Sequence, residues 1–107
     1  MEPADYARFP SWQDDARVRK WNLWGYVDAR DVATASRLAV EADTTGAEIA
    51  IVAAADTAMR HDSADLLAEV FPEVPLRRSV NGRETLLAID HARDLFGYEP
   101  AHSWLEA

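Results

Sequence analysis

The sequence predicts an α/β fold: a partial domain with a small parallel βαβ unit and three main helices. Three observations predict it. An apolar stripe at helical spacing follows Asp31, and a nearly continuous apolar run lies at Ile49-Ala50-Ile51-Val52. A second helical stripe then ends against Pro72, with an extended stretch beyond it. Strand, helix and strand joined by such short links close as a parallel crossover.

Residues 1–20 are the least regular, with Pro3, Pro10 and a Gln13-Asp14-Asp15 run among Tyr6, Phe9 and Trp12. They predict short helical turns around 4–8 and 13–19. Asn22 to Asp28 reads as extended, through Trp24, Tyr26 and Val27. Asp31 is the expected cap of the next helix, in which Val32, Ala35, Leu38, Ala39 and Ala42 share a face. The turn residues Asp43-Thr44-Thr45-Gly46 end it.

Glu48 to Ala54 then reads as a strand buried on both faces. Asp62 or Ser63 caps a second helix whose face is Leu66, Leu67, Val70 and Phe71. Pro75 to Val80 is the second strand. Asp90 caps a short helix through Phe96, stopped by Gly97 in a left-handed conformation with Pro100 beyond. With 107 residues and no linker or repeat, the chain is one domain or one part of one.

Composition narrows the partners. The net charge is −8 and Lys20 is the only lysine, so no nucleic acid is expected, since a phosphate backbone calls for a basic stripe. Ten dispersed arginines still allow a small phosphorylated ligand held by one of them. There is no cysteine, hence no disulfide, thiolate zinc site or cysteine nucleophile. No window reaches the ~20 apolar residues of a membrane span, and the acidic start carries no signal-peptide core. The expected location is cytoplasmic, with no membrane partner.

Catalytic devices are not found. Gly25, Gly46, Gly82 and Gly97 are too far apart to form a phosphate-cradling loop. No Tyr is followed four residues later by Lys, since Tyr6, Tyr26 and Tyr98 meet Pro10, Arg30 and His102 there. His61-Asp62 and Asp90-His91-x-x-Asp94 carry metal-ligating side chains, yet Asp62 and Asp90 sit where helix caps belong and His91 in a first turn. His102 has no evident partner in the sequence. The four Trp fit core or interface burial better than a ligand platform.

Two segments are more specific. Trp21-Asn22-Leu23-Trp24-Gly25-Tyr26-Val27-Asp28-Ala29-Arg30-Asp31-Val32-Ala33 resembles the "YvdvrDvA" segment of the extended short-chain dehydrogenases/reductases, the NAD-dependent epimerase/dehydratase family. Ala88-Ile89-Asp90-His91-Ala92-Arg93-Asp94-Leu95-Phe96-Gly97-Tyr98-Glu99-Pro100 resembles that family's closing "D-x-x-K/R-x-x-x-x-L-G-[WY]-x-P" segment. Their order and spacing agree with the family from about residue 20 to 104.

The resemblance implies that residues 1–107 are the C-terminal, substrate-side portion of a Rossmann-type enzyme. The N-terminal half of such an enzyme binds NAD or NADP and carries the catalytic Ser/Thr and Tyr-x-x-x-Lys. Met1 would then fall mid-chain in a full-length relative, and neither cofactor is expected to bind this chain alone. No catalytic residue is implied here.

The implied substrate-binding positions are Arg83, where many members hold a nucleotide-sugar diphosphate, and Trp24, where another substrate arginine is common. Trp24 in that place implies a different or smaller small-molecule substrate. Tyr26 and Asp28 read first as packing and helix-start residues. With the partner half missing, the helix after Asp31 and Trp12, Trp21 and Trp24 would be uncovered, which predicts a homo-oligomer. The alternative is a stand-alone interaction or small-ligand-binding domain without catalysis.

Overall fold

Three α-helices form where apolar spacing places them: α1 (Ala29–Glu41), α2 (Ser63–Val70) and α3 (Asp90–Phe96). The computed structural model describes every residue from Met1 to Ala107. Short 3-10 helices add Pro3–Ser11, Lys20–Asn22 and Trp104–Glu106. Residues 13–19 form turns and no helix. No helix is long and apolar enough to cross a membrane.

The parallel βαβ unit does not form, which corrects the predicted α/β class. The only β-pairing is one isolated antiparallel bridge between Asp56 and Glu84. Ala47 to Val52 has no regular secondary structure and forms no backbone hydrogen bond, and Ile49 is 90% exposed. Residues 75–79 are exposed as well, and so the two predicted strands have no shared surface on which to pair.

The reason lies just downstream. Ala53, Ala54, Ala58 and Met59 run through the interior, and each side of this alanine-rich stretch meets a different cluster. Ala54 and Ala58 pack with Tyr6, Phe9 and Tyr26. Ala53 packs with Ala35, Ile89, Ala92 and Tyr98, and Met59 with Ala16, Trp24 and Leu66. Small side chains let large ones approach the backbone closely, and those large side chains take the place of a ladder.

Tyr98 Oη donates to the Ala53 carbonyl at 2.7 Å, Gln13 Nε2 to that of Ala58 at 2.8 Å and Trp104 Nε1 to that of Thr57 at 2.8 Å. Backbone donors of the stretch reach loops, from Ala54 to Tyr26 and from Thr57 to Arg83. Buried carbonyls must find donors, and here aromatic and amide side chains provide them.

Helix starts also differ from the sequence reading. α1 is capped by Asp28, whose Oδ1 accepts from the Arg30 N–H at 2.8 Å, whereas Asp31 lies in the first turn and is buried. Asp31 is drawn off by other donors, described below. Of the α1 stripe only Ala35 is buried; Leu38 and Ala42 are half-buried, Val32 and Ala39 exposed. Asp62 is the N-cap of α2 but makes no capping hydrogen bond, and the Ser63 hydroxyl ties that end to the Glu84 carbonyl at 2.6 Å. In α3 Asp90 is the first helical residue, and Gly97 ends the helix at φ 75°.

Candidate functional site

Asp31, in the first of the resembling segments, meets the residues just after the second. Asp31 accepts the backbone N–H of Ala101 at 3.1 Å and of His102 at 3.1 Å, and its Oδ1 lies 2.8 Å from His102 Nδ1. His102, without a partner in the sequence reading, therefore has one 71 residues away. Burying a carboxylate this deeply is favourable only with several donors around it.

Asp28, fully buried, takes a forked pair of hydrogen bonds from Arg30 and a third from the Tyr6 hydroxyl. The Arg30 guanidinium is the main cause that holds the Asp28 carboxyl well below the usual range, against the opposing effect of burial. Burial first, and then the hydrogen bond to Asp28, pushes the Tyr6 phenol up. Tyr26 is pushed up likewise, by burial and then by Asp56, to which it donates at 2.6 Å. Tyr98 is pushed up to about 12 by burial, with a smaller effect of the Asp31 charge. These phenols are locked donors and not proton carriers at neutral pH.

Beside this lattice lies Arg83. Its backbone carbonyl accepts from the Thr57 N–H at 2.8 Å, and the Thr57 carbonyl in turn accepts the Trp104 indole N–H at 2.8 Å. One residue, Thr57, thus sets Arg83 against Trp104, and the guanidinium carbon sits 5.9 Å from the indole centroid. Trp104 is fixed again by its backbone N–H, which donates to the Tyr26 hydroxyl at 3.0 Å. Ser103 Oγ donates to Asp56 at 2.6 Å. The half-buried Arg83 side chain has no carboxylate or carbonyl acceptor within the chain. A guanidinium held on an aromatic face with its donors unspent is suited to a bidentate oxyanion.

Trp24 is placed elsewhere. It is 0% exposed in the cluster with Ala16, Met59 and Leu66, and its indole N–H is spent on the Ala16 carbonyl at 2.6 Å. It neither borders Arg83 nor offers a face to a ligand, so the second substrate-binding position read from the sequence is a core residue. Trp104, Thr57, Ser103 and Asp56 were missed in the sequence because no local spacing links them to Arg83.

Other clusters are chemically quiet. His91 lies 3.4 Å from Glu48 at the surface. His61 and Asp62 are exposed. No group of three or more His, Asp and Glu side chains is arranged around a metal position. An open groove of about 480 Å3 is lined by Arg77, Arg78, Arg93, Leu76, Leu86 and Leu87 among others. Two of its arginines are already paired, Arg78 with Glu84 at 3.5 Å and Arg93 with Glu99 at 2.8 Å.

The four glycines lie apart along the chain. A Cβ on Gly25 would lie 2.5 Å from Leu87 Cδ1, so this glycine makes room for a side chain and not for a ligand. Gly46, Gly82 and Gly97 occupy separate turns at positive φ. Comparison of the chain with protein-family models, curated proteins and solved structures returned no match.

Proposed function

We propose that this chain is the substrate-side portion of an extended short-chain dehydrogenase/reductase, an epimerase, dehydratase or reductase of a nucleotide sugar or a smaller phosphorylated compound. In this reading Arg83 grips a substrate phosphate, and NAD or NADP and the catalytic residues belong to another domain. The observation that carries it is the unpaired Arg83 guanidinium, half-buried against Trp104.

Trp24 narrows the substrate. Its burial leaves one arginine for the phosphates where two are common, which favours a ligand with a single gripped oxyanion. A cysteine-free chain working beside a nicotinamide cofactor fits the cytoplasm.

Uridine diphosphate is the probe. In a 1H–15N titration of the whole chain it is expected to shift the Arg83 Nε–H and the Trp104 indole N–H saturably. Arg83→Ala should weaken binding at least about tenfold, the scale of one charge-assisted pair. Unchanged binding by Arg83→Ala overturns the assignment. Micromolar binding of NADH by this chain alone overturns the division of labour between domains.

A further inference from the structure

An apolar groove of about 340 Å3 opens at the surface between Leu23, Leu67, Phe71, Val74, Leu76 and Leu86. α2 stops before Pro72, which cannot supply a helical donor, and the chain beyond it leaves Val74 and Leu76 58% and 52% exposed. Leu76 and Leu86 also line the larger groove that bears Arg77, Arg78 and Arg93. The two are therefore one trough with an apolar floor and a basic rim. Arg78 and Arg93 are paired with Glu84 and Glu99, whereas Arg77 is exposed with no ion pair or side-chain hydrogen bond. Residues 75–80 form no backbone–backbone hydrogen bond.

Residues 47–52 have the complementary character. They too form no backbone hydrogen bond, and Ile49 and Ile51 stand exposed beside the exposed Glu48. α3 lies between this stretch and the trough. His91 is 3.4 Å from Glu48, whereas Asp90 and Arg93 line the trough, and positions 91 and 93 are about 200° apart around a helix. A chain is thus kept from filling its own trough with these isoleucines. A second copy, turned about an axis near α3, can bring its stretch to the first copy's trough and receive the first copy's stretch in return.

We infer that the trough is the docking surface for residues 47–52 of a second copy of this chain, in a reciprocal dimer. Ile49 and Ile51 enter the apolar groove, Glu48 pairs with Arg77, and the unpaired backbone groups of 47–52 and 75–80 become each other's partners. Charge favours this arrangement over other contacts between copies. Two chains of net charge −8 repel, but at physiological salt that repulsion is screened beyond about 8 Å, while an ion pair in contact is not. An acidic chain therefore joins a copy of itself best at its locally basic rim. The dimer rests neither on Arg83 nor on the enzyme reading above.

Sedimentation velocity of the whole chain over a range of concentrations tests the inference. The wild type is expected to pass from monomer to dimer. Glu48→Arg and Arg77→Glu change exposed residues outside the three core clusters, so the fold is kept. Each should weaken the dimer at least about tenfold, since like charges then face each other across both contacts. An equimolar mixture of the two variants should dimerise as the wild type does, because both contacts of the mixed pair again join opposite charges. Leu76→Asp should weaken association by as much as either reversal. A wild type that stays monomeric, a dimer that survives a charge reversal or Leu76→Asp, or a mixture no more associated than its components overturns the assignment.

Discussion

Asp28 concentrates more of the chemistry of this chain than any other residue. It caps α1, accepts a fork from Arg30 and satisfies the buried Tyr6 hydroxyl. Asp28→Ala removes the cap and leaves Tyr6 unpaired in the core, and the expected loss is about 3 kcal/mol. Thermal unfolding should shift down by roughly 15 °C for a domain of this size. The pH dependence has a definite sign. The folded carboxyl has a lowered pKa, so its contribution is present above the ordinary Asp value and lost as pH falls. Urea midpoints should therefore fall below about pH 4 in the wild type and decline less steeply in Asp28→Asn, which keeps the cap without the charge. An equally steep decline in Asp28→Asn would refute the role of this charge.

At the scale of elements, helices were legible and strands were not. The three α-helices follow from local signals: apolar spacing, a short polar start, and Pro72 or Gly97 at the end. Gly97 shows how local such a signal is. Its φ is 75° and nothing lies within 4 Å of where a Cβ would stand, so the residue is required only for its backbone freedom. Gly97→Ala should cost about 1 kcal/mol and Gly97→Asn less, measured by urea unfolding. The cap of α1 was misread by three residues because Asp28 and Asp31 are both good caps in isolation. Only the approach of Ala101 and His102, 70 and 71 residues distant, takes Asp31 out of contention. Ile49 and Ile51 carry strand propensity, but a strand exists only with a partner, and their neighbours offer none.

For the whole molecule, the consequence is an uncovered surface. Three clusters surround the alanine-rich stretch from Ala53, and each is completed by aromatic side chains from distant segments. Outside them Ile49, Val40 and Ile51 are exposed at 90%, 86% and 44%, and Ala47 to Val52 presents unpaired backbone groups. An exposed apolar stretch with unpaired backbone groups favours pairing with another chain. The chain is expected to self-associate, with sedimentation velocity showing a dimer or larger species at high concentration, and Ile49→Lys should shift it toward monomer. A monomer at every concentration would contradict this. Of the three tryptophans expected on an uncovered surface, Trp21 is 76% exposed and Trp12 half-buried, whereas Trp24 lies in the interior.

Arg83, just after Asn81-Gly82, was singled out by what the resemblance implies, and in the fold its guanidinium lies by Trp104 with its donors unspent. Trp104, Thr57 and Asp56 around it could not be read, because contacts across the chain leave no mark in local spacing. By itself the sequence determined the charge, by composition, and the three α-helices, whose signals lie within a few turns of one another. Only the tertiary structure decided whether the predicted strands form, which Asp caps α1 and which tryptophans are buried. Those outcomes turn on which distant donor reaches a buried acceptor first, and that competition is settled by packing.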